Sequence, residues 1–212
     1  MGNFVILAAI NTVNAAIFFE LVAKQYLQRK KEHQLMWAAG IFLYLISALL
    51  ELHSELYGWL AITYRAHYFA SAMLVAFLGG GTLFLLSKTA GKIFAAYSII
   101  VGIVFAYALV TSGITVSSDN AVYPGMFTVP SSVKIFSPLL TIPGALFLIG
   151  GALYSFFSDR KRAYAILFAL GGIVLSFVGF AGKYFEGANY VFGILGISLL
   201  LWGFVLSGKT RE

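Results

Sequence analysis

The stretch FVILAAINTVNAAIFFELVAKQYLQRKK, residues 4–31, decides the fold. Phe4–Leu27 is almost unbroken apolar sequence, and Arg29, Lys30 and Lys31 close it. A helix needs about 20 apolar residues to cross the hydrocarbon core of a bilayer, and a basic cluster at its end sits naturally among the headgroups. The same pattern recurs along the rest of the chain.

The 212 residues are 60% hydrophobic and 10% charged, with a mean hydropathy of +0.91. A soluble domain carries about 25% charged residues, so lipid rather than water must cover this surface. Apolar runs fall at Phe4–Leu27, Leu35–Leu56, Tyr64–Leu86, Ile93–Thr111, Pro138–Phe157, Ala163–Ala181 and Tyr190–Leu206. Backbone polar groups in lipid must be satisfied within the segment, so these are helices. They are too long and too continuously apolar for the alternating strands of a membrane barrel. The expected fold is all-α, one polytopic seven-transmembrane-helix bundle over residues 1–212.

Seven crossings sort the charges. Lys24, Arg29, Lys30, Lys31, Lys88, Lys92, Arg160, Lys161, Arg162, Lys209 and Arg211 fall on one side, and only Arg65, Lys134 and Lys183 on the other. By the positive-inside rule the first side is cytoplasmic. The expectation is a plasma-membrane protein with its N-terminus outside and its C-terminus inside. Six or eight crossings would spoil this sorting. The net charge of +6 therefore follows from topology, and no separate basic face offers itself to nucleic acid. Met1–Asn3 lacks the basic region of a cleavable signal, so the first helix is read as retained. The absence of cysteine removes disulfides, thiolate nucleophiles and cysteine-bound metals.

Basic runs follow both the first and the fifth span. A shift of 129 residues pairs Thr12 with Thr141, Ala16 with Ala145, Phe18 with Phe147, Ala23 with Ala152, Ser47 with Ser176 and Gly58 with Gly187. A shift of 120 pairs Phe84, Leu86 and Ser87 with Phe204, Leu206 and Ser207. The layout expected from this is a 3+1+3 parallel repeat, with halves 4–86 and 138–206 joined by a connector helix at 93–111. Transporters often place a substrate site between such repeats. In topology and length this layout resembles the SWEET and PQ-loop transporters. Their Pro-Gln pair is missing: Pro143 is followed by Gly144, and Asn14 holds the paired position in the first span. The resemblance implies an architecture, not a substrate. The stretches SPLLTIPGALFLIGGALYS (137–155) and LLWGFVLSG (200–208) also resemble a family of prokaryotic seven-helix integral membrane proteins. That resemblance covers most of the chain and implies no activity.

Intramembrane ionisable groups are functional candidates by default. Glu20 lies well inside the first span, but Lys24 is one turn away and shares its face. It reads either as half of a structural pair or as a proton- or cation-coupling group. Asn11 and Asn14 lie on one face, where they either hold helices together or line a polar cavity. The outer ends of the second and third spans gather Glu51, His53, Glu55, Arg65 and His67, with Lys183 and Glu186 on the same side. These residues are either interfacial anchors or a ligand vestibule with the Ser112–Lys134 connection as its lid; a metal site from His53, His67 and a glutamate is the weaker alternative. Gly79, Gly80 and Gly81 serve close helix packing or a hinge, and Pro143 is expected to kink its helix.

The candidate substrate-binding residues are thus Asn11, Asn14, Glu20, Glu51, His53, Arg65 and His67. No nucleophile, metal or cofactor constellation stands out. The leading expectation is a non-enzymatic carrier or binder of a small-molecule ligand. Its rival is an accessory or sensory subunit acting through a membrane-protein partner or a homo-oligomer, because the chain stops six residues after the last span.

Overall fold

The computed structural model describes residues 4–116, 127–184 and 187–209. Seven long helices carry the fold: α1 Val5–Arg29, α2 Glu32–Tyr57, α3 Ala61–Leu86, α4 Lys88–Thr111, α6 Phe136–Ser158, α7 Tyr164–Tyr184 and α8 Ala188–Lys209. A single turn, α5 Ser131–Lys134, precedes α6. Two-residue strands, β1 Thr115–Val116 and β2 Phe127–Thr128, pair antiparallel at the neck of the long connection. By length and composition α1, α2, α3, α4, α6 and α8 suffice to cross a membrane; in α7 the described apolar stretch, Tyr164–Val178, is shorter.

The helices outrun the apolar segments because their charged ends are helical too. The connections shrink accordingly. Only Lys30 and Lys31 separate α1 from α2, and Lys30 takes a left-handed turn (φ 50°) with its N–H on the Tyr26 carbonyl. Ser87 alone joins α3 to α4, and its hydroxyl accepts from the N–H of Ala90 as a helix cap. Lys92, expected in a loop, therefore lies one turn inside α4.

α1, α2, α3, α6, α7 and α8 form a closed ring in that order, each touching the next and α8 returning to α1, while α4 packs outside against α3 and α6. The ring encloses an apolar core of Phe18, Ile41, Leu78, Leu148, Ile197 and Leu200. A second core, with Trp59, Phe105, Ile114, Val129, Val133 and Leu140, fills the wedge between α3, α4 and α6. Val129 and Val133 are buried there, so the described part of the 112–134 connection packs over this wedge rather than over the ring. Its Val122 and Met126, and the polar residues 117–120, lie outside the described residues.

Two features close the α3–α6 seam. At Gly79 an added Cβ would stand 2.1 Å from the Gly144 carbonyl oxygen, and at Gly144 one would stand 2.5 Å from that of Val75. The backbones meet because neither residue has a side chain. Immediately before Gly144, Pro143 lacks the N–H that would bond the Leu139 carbonyl one turn earlier. The Tyr97 hydroxyl of α4 donates to that carbonyl at 2.8 Å instead. The three consecutive glycines remain helical and act as packing positions, Gly79 against α6, Gly80 under Met36 and Gly81 under Trp37.

Candidate functional site

The C-terminal ends of α1, α3 and α6 and the N-terminal ends of α2, α4 and α7 gather at one end of the bundle with the basic residues of their connections, called here the basic end. At the opposite end a buried polar network ties α1, α2, α3 and α8 together. The Tyr44 hydroxyl donates to Asn11 Oδ1 at 2.8 Å and lies 3.2 Å from the Gly193 carbonyl. Ser47 Oγ stands 3.0 Å from His67 Nδ1 and 2.9 Å from Ser71 Oγ, and His67 Nε2 lies 3.9 Å from Glu51. The Tyr190 hydroxyl donates to Glu55 at 2.7 Å. Among the described residues neither carboxylate has a lysine or arginine partner within ion-pair distance. Buried polar groups survive in a lipid-facing bundle only when they satisfy one another, and this network does so across four helices.

The seven residues expected from sequence separate in the structure. Asn11, Glu51 and His67 meet in the network. Asn14 stands apart, bonding Ser198 at 3.2 Å. Glu20 faces outward and pairs with Lys24, so it joins neither the network nor a cavity. His53 is exposed and stacks edge-on against Tyr57. Arg65 reaches the Ser112 carbonyl at 2.9 Å and anchors the start of the long connection. The side chain of Lys183, and Glu186 altogether, lie outside the described residues. Among the described residues no three metal-ligating side chains come together.

The open space lies elsewhere. A cavity of about 620 Å³ enters the ring from the basic end, within the 300–1,000 Å³ range of small-molecule sites. Val22, Trp37, Leu148, Phe168 and Phe204 give it apolar, largely aromatic walls, and Gln25, His33, Ser155, Ser158, Asp159 and Arg162 line its polar part. Gln34 and Trp37 sit three residues apart on one face of α2, both in the cavity wall and both buried. Gln34 Oε1 and Trp37 Nε1 have no hydrogen-bond partner. Each such orphan costs roughly 1–3 kcal/mol; at the opposite end Ser54 Oγ, Trp59 Nε1 and Arg65 Nε are likewise unpartnered. The Trp37 indole fits only because Gly81 on α3 has no Cβ, which would stand 1.9 Å from Trp37 Cδ1.

Sequence reasoning favoured the other end because polar residues cluster there. The cavity residues were missed because most are apolar or small. The one legible signal was Gln34, an uncharged polar residue beside a tryptophan on the inner face of α2, just inside the first basic run.

A bundle of apolar helices with buried polar side chains satisfied between them is the architecture of a multi-pass membrane protein. The chain matches no family model, no curated protein and no solved structure.

Proposed function

We propose that the chain is a plasma-membrane protein that binds a small molecule without covalent chemistry and carries it across the bilayer. All seven long helices cross, with the N-terminus outside and the basic end in the cytoplasm. The observation that carries this reading is the 620 Å³ cavity, open at the basic end and backed by a closed apolar core. A carrier resting open to one side has this shape.

The ring order supports a repeat. Exchanging α1 with α6, α2 with α7 and α3 with α8 maps every ring contact onto another, so α3–α6 becomes α8–α1. Gly58 and Gly187, paired by the 129-residue shift, stand between α2 and α3 and between α7 and α8, and both have positive φ, 85° and 75°. An L-residue rarely adopts that conformation. All six ring helices contribute residues to the cavity lining, so both halves of such a repeat would build it.

A cysteine-free chain makes the test direct. Ser155→Cys at the cavity and Tyr57→Cys at the opposite end are to be labelled with a membrane-impermeant maleimide. Reaction of Ser155→Cys only in inverted vesicles, and of Tyr57→Cys only in intact cells, is expected; reaction of both from one side refutes the topology. For binding, small molecules co-purifying with the wild type are compared by mass spectrometry with those of Ala152→Trp and Ser155→Trp, which fill the cavity. Identical profiles from correctly folded variants refute the site.

A further inference from the structure

The cavity's walls and its polar part differ in chemistry, and the difference specifies a ligand. Inside, Val22, Trp37, Leu148 and Phe168 present apolar and aromatic surface. Among the described residues Asp159 and Arg162 are the charged side chains that line it. These two stand together on the turn between α6 and α7, where Arg162 Nε lies 3.5 Å from Asp159 Oδ2 and Nη1 lies 3.5 Å from Ser155 Oγ. Both contacts are long and exposed, so they hold the guanidinium weakly. Its fork is therefore available to a planar anion, which it can bind through two parallel hydrogen bonds. Ser155 and Ser158 add hydroxyl donors from α6.

Around this entrance the surplus charge is positive. The run Arg29, Lys30, Lys31 leads directly into His33 and Gln34, which line the cavity, and Arg160 stands beside Arg162. Glu32 is the other acidic residue of these two turns, and it faces Lys92 at 3.4 Å. The positive-inside rule accounts for basic loops in general. It does not account for one arginine placed in the lining of an aromatic cavity.

Resting on the reading of this cavity as a ligand site, we infer that its ligand is an anion with an apolar, flat body and a carboxylate- or phosphate-type head. The body lies against the apolar wall that Trp37, Phe168 and Leu148 form, where the Trp37 and Phe168 rings meet edge-on with centroids 4.8 Å apart, and the head meets Arg162 and the serines of α6. The head belongs either to a soluble small molecule or to an anionic lipid; both present the same chemistry to Arg162.

The test uses the full chain in phosphatidylcholine nanodiscs and two probes of one shape, 2-naphthoate and the neutral 2-naphthamide. Binding is read by calorimetry against empty nanodiscs. The wild type should bind 2-naphthoate at least tenfold more tightly than 2-naphthamide. Arg162→Gln should erase that preference by weakening the anion roughly tenfold, the loss of one charge-assisted contact, with the amide unchanged. Asp159→Asn should strengthen the anion, because it frees Arg162 and removes a like charge; damage to the turn would weaken both probes instead. Equal binding of the two probes, or an Arg162→Gln variant that keeps the preference, overturns the anion assignment while leaving a binding cavity. Failure of either probe to bind, with Ala152→Trp indistinguishable from wild type, overturns both the assignment and the cavity reading. Repeating the titration with phosphatidylglycerol in the nanodisc separates the sources. Competition that Arg162→Gln abolishes assigns the head to lipid, and unchanged affinity assigns it to a soluble anion.

Discussion

Replacing Gly79 by alanine tests the tightest contact in the ring. Its Cβ would stand 2.1 Å from the Gly144 carbonyl oxygen, where an ordinary contact needs about 3.4 Å. The two backbones must part by roughly 1.3 Å, and neither side has a flexible side chain to yield. Overpacking of this kind costs about 1–3 kcal/mol. Alanine's better helix propensity returns up to about 1 kcal/mol, so a net loss near 1–2 kcal/mol is expected. Two further glycines of α6 calibrate the measurement. At Gly151 the new Cβ would stand 2.5 Å from Thr82 Cγ2, a side-chain methyl rather than backbone, and at Gly150 it meets nothing within 4 Å. Thermal unfolding of the three variants in one detergent, followed by size-exclusion fluorescence, should rank Gly79→Ala least stable, Gly151→Ala intermediate and Gly150→Ala at or above wild type. An unchanged melting temperature for Gly79→Ala, or a Gly150→Ala as damaging, would refute the close crossing of α3 and α6.

Tyr97→Phe removes the hydroxyl that serves the Leu139 carbonyl, and should cost about 0.5–1 kcal/mol, the usual size of a hydrogen bond between membrane helices. In a Pro143→Ala background the helix supplies its own N–H, so the same substitution should cost nothing; equal costs in both backgrounds would sever the link between the proline and Tyr97. Tyr190→Phe leaves Glu55 without its donor and should destabilise by about 1–2 kcal/mol. Glu55→Gln keeps an acceptor for Tyr190 and should be milder, and the reverse order would show that the bond does not hold α8 to α2.

How much of this was legible in sequence depended on which physical signal was periodic and which was a meeting in space. The helices were readable because lipid leaves the backbone no alternative, and Phe4–Leu27 became Val5–Arg29 with little change. Helix ends were misplaced where charge overrode hydropathy: Lys88 and Lys92 looked like loop residues, but Ser87 caps a helix that begins among them. Pairing of Asn11 and Asn14 on one helix face was legible, yet their partners were not. Tyr44 and Ser198 belong to other helices, and nothing in an apolar helix announces its neighbour. Glu20 stood out as an isolated acid, but its outward face depends on how α1 rotates against α2 and α8. The cavity was least legible of all, since a void is defined by side chains that are too small, such as Gly151 and Ala152.

The two polar regions of the ring are separated in the same order on four helices. Along α1, Asn11 of the network precedes Phe18, and Val22 of the cavity follows. Along α2 the order is Tyr44, Ile41, Trp37; along α3 it is Ser71, Leu78, Thr82; along α8 it is Gly193, Ile197 with Leu200, then Phe204. Phe18, Ile41, Leu78, Ile197 and Leu200 are almost completely buried and belong to one cluster. Trp37 and Tyr44 are seven residues apart, about 10 Å along the α2 axis. The barrier between cavity and network is thus about two helical turns deep and built on this apolar cluster, with the Asn14–Ser198 hydrogen bond beside it between α1 and α8. A carrier built on this ring has to part that cluster, and the hydrogen bonds that resist the parting include those of Tyr44 and Tyr190 and the Asn14–Ser198 bond. Tyr44 and Tyr190 both belong to the network at the far end, so under the proposed carrier function those buried polar groups would serve as the latch of the closed side.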